Sequence, residues 1–193
     1  RKAAEHARLY KARAGKFPTL CDGTFRFCVA GKFATLRCMA SPRLQSGRIS
    51  QCGACYSVTI VVRDRRPMLS LRRNAGIVVD ELRRLASRST VAHIAWVLMP
   101  DHMHWLFCLN DGSLSRCVQA LKARSARAIH QYENETGPLW QAGYYDHRLR
   151  DERDLHAQAR YLVENPLRKG LVERVEDYPF WWCRWITGSA DLL

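Results

Sequence analysis

From residue 55 onward the chain falls into segments of distinct hydrophobic period. "CYSVTIVV" is rich in β-branched residues and is closed by the charged, Pro-containing "RDRRPML", which predicts a strand. "NAGIVVDELRRLASRS" then spaces Ile77, Val78, Glu81, Leu82 and Leu85 as one helical face, with Arg83, Arg84 and Arg88 where cations suit the helix dipole. "AHIAWVLM" and "MHWLFCL" predict two strands joined through Pro100 and Asp101, and "NDG" at 110–112 ends the second. "SLSRCVQALKARSARAIHQYEN" predicts an amphipathic helix with Leu114, Val118, Leu121, Ala128 and Ile129 inward and Arg116, Lys122, Arg124 and Arg127 outward. "GYYDHRLR" fits a short strand. "DERDLHAQARYLVEN" fits a helix capped by Asp151 and stopped before Pro166.

The order β-α-β-β-α-β plus a terminal helix predicts an α+β, ferredoxin-like antiparallel sheet with its helices on one side and an added C-terminal helix. "PFWWCRW" at 179–185 is expected to cover the sheet. Residues 1–45 mix basic residues, Gly and three cysteines without sustained periodicity and end in the linker-like "SPRLQSGR". The expected organisation is a basic N-terminal arm over 1–45, one catalytic domain over 46–187 and a tail over 188–193.

Charge adds a partner to this outline. Of the 31 Lys and Arg, 11 lie in residues 1–50 against 2 acidic residues, leaving 20 against 16 in the remainder. A net charge of +13 favours a polyanion, nucleic acid before anionic membrane, because neutralising phosphates releases counterions. Eight cysteines would suit a disulfide framework in an exported chain. The apolar runs fit neither a signal peptide nor a membrane span, so a cytoplasmic, nucleoid-associated protein with no membrane partner is expected. "CGAC" at Cys52–Cys55 has redox or zinc spacing, but no second pair answers it, and no role is assigned to it.

The chemistry concentrates in "MPDHMHWL". Side chains alternate across a strand, so His102 and His104 share one face while Met103 and Trp105 take the other. Burying two imidazoles without partners is costly, whereas a metal accepts both as neutral ligands. His93, alone in its strand, reads instead as a satisfied core residue. In the last predicted helix Tyr161 and Asn165 stand four apart and share a face. A tyrosine and a metal in one site suit attack on a phosphodiester: the metal draws charge from a non-bridging oxygen and the phenol oxygen attacks phosphorus. The phenol needs help in losing its proton, for which His147 and His156 are the weaker candidates. Tyr144 and Tyr145 are rival nucleophiles, set aside because neither lies on the helix of Asn165.

Together, "MPDHMHWLF" and, about sixty residues on, "YLVENPLRKGLV" resemble the REP-associated tyrosine transposases, a branch of the single-tyrosine HUH transposases of bacterial insertion sequences. The resemblance runs from about Gly47 to Trp185, through "YSVTIVVRDRRPML", "LWQAGYYDH" and "RDERDLHAQARYLVENPLRKGLVE". It implies His102, His104 and Asn165 as ligands of Mg or Mn and Tyr161 as nucleophile, leaving a 5′-phosphotyrosine and a free 3′-hydroxyl. Related enzymes carry Gln where Asn165 stands. It also implies single-stranded DNA folded into imperfect palindromic hairpins as substrate, and a monomer or homodimer that shares tyrosine helices. Arg63, Arg65, Arg66, Arg72, Arg73, Lys122, Arg124 and Arg127 are candidates to follow a DNA backbone, and Trp140, Tyr144 and Tyr145 to stack on unpaired bases. Two alternatives are a hairpin-binding protein that has lost its chemistry and a zinc hydrolase built on His-x-His. The second lacks a carboxylate-bearing strand motif and the length for a barrel.

Overall fold

The computed structural model describes Thr24–Val29, Lys32–Arg37, residues 50–149 and residues 151–186. The chain divides into two units, Arg1–Met39 and Ala40–Leu193. In the first, β1 (Thr24–Val29) and β2 (Lys32–Arg37) pair antiparallel, Thr24 opposite Arg37 and Val29 opposite Lys32. The sequence reading assigns no element there. The rest of the arm, and the tail over 188–193, lie outside the described residues.

The second unit runs β3 (Cys55–Val61), α1 (Arg72–Ser87), β4 (Val91–Met99), β5 (His102–Leu109), α2 (Leu114–Glu133), β6 (Tyr145–Leu149), α3 (Glu152–Val163), α4 (Asn165–Arg168) and β7 (Trp181–Cys183). Five strands form one antiparallel sheet in the order β6-β3-β5-β4-β7. Two split β-α-β units, β3-α1-β4 and β5-α2-β6, thereby interleave, which is the ferredoxin-like α+β arrangement expected from the element order. Ser113 caps α2 and Asp151 caps α3, each accepting a backbone N–H from the first turn. Asn134 ends α2 in the left-handed conformation at φ 52°.

Alternation along the strands divides the core. Val58, Ile60, Trp96, Leu98, Met103, Trp105 and Phe107 form one face, on which Val78, Leu82 and Leu85 of α1 and Val118, Leu121 and Ile129 of α2 pack. Ala95, Val97, Met99 and Leu106 form the other, covered by Ala159, Leu162 and Val163 of α3. At its far end Cys55 and Cys108 lie opposite each other across β3 and β5 and are joined by a disulfide. "CGAC" thus contributes one cysteine to a cross-strand bond, while Cys52 is exposed and free.

Two sequence expectations need correcting. "PFWWCRW" does not simply lie over the sheet; Trp181–Cys183 extends it as edge strand β7 beside β4. The backbone of β4 has unpaired groups on that side, and they find partners: Leu98 N–H donates to Phe180 C=O and Arg184 N–H to Ile94 C=O, both at 2.9 Å. Ala128 is only half-buried, and the inward position on α2 belongs to Ser125. Its hydroxyl donates to Leu121 C=O at 2.7 Å and accepts the Trp140 indole N–H at 3.0 Å, so a polar residue that hydrophobic spacing passes over sits satisfied in the core.

His93 is the satisfied core histidine expected of it. The indole of Trp105 donates to Nδ1 and Nε2 donates to Leu82 C=O, both at 2.9 Å, which fixes a neutral ring. Burial pushes its pKa below the ordinary value, against the opposing effect of the Leu82 hydrogen bond. The unfolded chain protonates this ring at about pH 6.5. The neutral ring's contribution to stability is therefore complete above that pH and is lost as pH falls toward the depressed folded value. Urea denaturation at stepped pH should show stability falling below about pH 6.5, with His93 contributing a slope of at most about 1.4 kcal/mol per pH unit. His93→Gln, expected to cost about 1–3 kcal/mol at pH 8, should remove that share of the slope.

Candidate active site

The strand register assembles the site. Tyr145, Thr59, His104 and Val97 stand in one row across β6, β3, β5 and β4, and Val61, His102 and Met99 in the next. His102 and His104 therefore emerge on one face, as the spacing predicts. Their Nε2 atoms approach to 3.1 Å. Each Nδ1 faces a different partner: His102 an Asp101 carboxylate oxygen at 2.5 Å, His104 the Thr59 hydroxyl at 2.9 Å.

This arrangement decides the His102 tautomer. A carboxylate only accepts, so the His102 proton sits on Nδ1 and its Nε2 presents a lone pair. Burial, foremost, pushes His104 well below the ordinary imidazole value, and the nearby Arg168 and Lys169 act in the same direction, so it is neutral. Burial alone would raise Asp101. Its hydrogen bond to His102 and the pair with Arg65 outweigh that and bring it down to about 2. Two imidazole nitrogens so close are a ready-made pair of cation ligands, since two donors on adjacent corners of an octahedral ion at about 2.1 Å stand about 3 Å apart. Among the described residues no cluster of three His, Cys, Asp or Glu side chains could hold a metal. Among the described residues, a third protein ligand would be of another type.

The candidate for that place lies at the end of α3. Gln158 donates to Ser57 at 3.2 Å, so the helix crosses the sheet one row from Thr59 and His104. Tyr161 follows about one turn on along the same helix. Pro166 has no N–H to give the Leu162 carbonyl four residues back, and the Asn165 side chain supplies the missing donor, Nδ2 to Leu162 O at 2.9 Å. Asn165 is buried there, and its Oδ1 is the atom left to serve as a ligand. Arg168 stacks its guanidinium on the Tyr161 ring, 3.7 Å from the centroid, and also donates to the Tyr161 carbonyl. Sequence reasoning missed Thr59, Arg168 and the bond from Asp101 to His102. Thr59 shows itself only through register, and Asp101 reads in sequence as a turn residue.

The sequence profile of the IS200-like transposase family matches residues 50–165. A candidate REP-associated tyrosine transposase of Haemophilus influenzae is 30% identical over 145 residues, spanning 66% of this chain and 78% of that protein. A REP-associated tyrosine transposase of Escherichia coli is 27% identical over 135 residues, spanning 66% and 75%. Among solved structures, a REP-associated tyrosine transposase bound to a REP hairpin superimposes with a TM-score of 0.60 at 23% identity, covering 69% of this chain and 79% of that one. That likeness concerns the fold.

The basic and aromatic candidates scatter into different environments. Arg63, Arg65 and Arg127 are exposed, and Arg124 and Arg66 are half-buried, Arg66 paired with Glu135 at 2.9 Å. Arg63 and Arg65 line a concavity of about 360 Å³ with Asp64, Gln141 and Ala142. Trp140 is buried, with its indole bound to Ser125, which removes it from the candidates for base stacking. Tyr144 is half-buried, its hydroxyl 3.0 Å from Ser115 Oγ; Tyr145 is half-buried in the row of His104. Arg72 and Arg73 are exposed at the start of α1, and His147 and His156 are exposed as well. Lys122 points back to the protein, donating to Gln141 C=O at 2.7 Å and Gly143 C=O at 2.8 Å, and partial burial lowers its pKa. Lys122→Met should therefore destabilise the fold by about 1–3 kcal/mol in urea denaturation, because it strands two carbonyls, whereas Arg127→Ala should stay within about 0.5 kcal/mol.

Proposed function

Because the chain belongs to the IS200-like transposase family, we propose that it is a metal-dependent single-stranded DNA endonuclease and strand transferase that cleaves hairpin DNA through a covalent 5′-phosphotyrosine. The observation that carries this reading is the convergence of the His102 and His104 Nε2 atoms at 3.1 Å on the face covered by the helix of Tyr161. His102, His104 and Oδ1 of Asn165 would hold Mg or Mn, which when bound withdraws charge from a non-bridging phosphate oxygen.

The protein's own groups do the rest. Thr59 and Asp101 fix the two rings so that neither Nε2 is lost to another partner. Arg168, stacked on Tyr161, limits where the phenol can swing. The Tyr161 oxygen attacks phosphorus, the bond from phosphorus to the 3′ oxygen breaks, and the phenol proton is lost as the 3′ oxygen gains one. Attack by a 3′-hydroxyl on the phosphotyrosine then reverses the bond exchange and joins strands. Arg63, Arg65, Arg66, Arg124 and Arg127 are the proposed backbone contacts, with Tyr144 and Tyr145 against unpaired bases. A hairpin fits as substrate because the structurally similar transposase was solved on a REP hairpin.

The test is a denaturing gel after incubation with Mn and labelled hairpin DNA from repeats flanking the gene. Wild type should form a protein–DNA adduct, Tyr161→Phe should form none while keeping its hairpin affinity, and His102→Ala should cleave more than about 100-fold slower. Tight hairpin binding without any adduct in the wild type would replace this reading with that of a catalytically silent binding protein.

A further inference from the structure

The Pro100–Asp101 turn that precedes the histidines is not self-supporting. Met99 pairs with His102, so two residues connect β4 to β5. Two-residue hairpins follow the strand twist best when central residues have positive φ, and neither Pro100 nor Asp101 does. Support comes instead from the segment after β3. Val62 N–H donates to Asp101 C=O at 2.8 Å and Leu69 N–H to Pro100 C=O at 2.9 Å.

The same segment reaches the Asp101 side chain. Arg65 Nη1 binds Oδ2 at 2.9 Å, while Oδ1 faces His102 Nδ1. Each carboxylate oxygen thus has its own task. Arg65 arrives there through a costly backbone: Asp64 and Arg65 are consecutive non-glycine residues at φ 55° and 50°. Each such residue costs about 1–2 kcal/mol, and strain of this kind persists where the surroundings over-determine it.

We infer that Arg65 and Asp101 form a positioning latch, in which the left-handed turn at Asp64–Arg65 holds the guanidinium on one carboxylate oxygen so that the other fixes the orientation of His102 toward a bound divalent cation. The latch rests on the metal reading above. Neither residue touches the cation; both act through the His102 ring, whose Nε2 direction is set by what binds Nδ1. Without Arg65 the carboxylate can rotate and the imidazole loses its fixed acceptor. Arg65 also lines the concavity it shares with Arg63.

Mn(II) titration of the folded protein, followed by the loss of the free-ion EPR signal, separates the two ideas without any DNA. Wild type should bind, and His102→Ala should not. Asp101→Ala should weaken binding by about 10- to 100-fold, and Arg65→Ala, a surface change that leaves the fold intact by circular dichroism, by about 3- to 10-fold. Asp101→Asn, which keeps an acceptor for Nδ1–H, should recover most of the loss. Absence of Mn(II) binding in the wild type would overturn the metal reading and the latch with it. Wild-type affinity in both Asp101→Ala and Arg65→Ala, beside a lost signal in His102→Ala, would overturn the latch alone.

Discussion

The Nε2 atoms of His102 and His104 meet at 3.1 Å, within hydrogen-bond distance, and the central region of this fold serves to hold them there. The register of β3 against β5 sets Thr59 beside His104, and the turn between β4 and β5 sets Asp101 beside His102. Both Nδ1 positions are thereby occupied, and both Nε2 positions are aimed at the same point. Slipping β3 by one residue would turn Thr59 to the opposite face and free the His104 ring, so the site depends on sheet register as much as on the histidines themselves.

The sheet can hold that register because it is buried on both faces and protected at the edge beside β4. Trp105 and Phe107 stack beneath the histidines with ring centroids 3.9 Å apart, and the neutral His93 closes the same layer through the Trp105 indole. On the other side α3 packs Ala159, Leu162 and Val163 over Val97, Met99 and Leu106. β7 pairs the otherwise open side of β4. The strand that partners His102 and His104 is therefore fully interior, with Val97 and Met99 opposite them.

Much of this was legible in the chain because its signals are local. Strand alternation put His102 and His104 on one face, the cap at Asp151 follows from residue type, and the order of elements fixed the fold class. What sequence left open involves pairing between distant segments. Thr59 is one of several β-branched residues in β3 until register places it against His104. Cys55 belongs to a C-x-x-C spacing in sequence but to a cross-strand disulfide with Cys108 in space. The edge role of Trp181–Cys183 is hidden because an aromatic run suits a cover and a strand equally well. Lys122 reads as an outward cation until the carbonyls of residues 141 and 143 claim it.

The end of α3 shows why residue roles near a break resist such reading. Pro166 removes one helical donor, and Asn165 replaces it through its side chain. An asparagine before a proline can thus be required by the backbone alone. The amide has two ends, however, and the backbone uses only the nitrogen. Fixing Nδ2 on the Leu162 carbonyl also fixes the direction of Oδ1, so the structural role leaves that oxygen free of the backbone and set in its orientation. Gln, one methylene longer, would place both ends differently and could not cap Leu162 while keeping that oxygen where it is. In this chain the break after α3 and the fixed orientation of the Asn165 amide are therefore one solution to one backbone constraint.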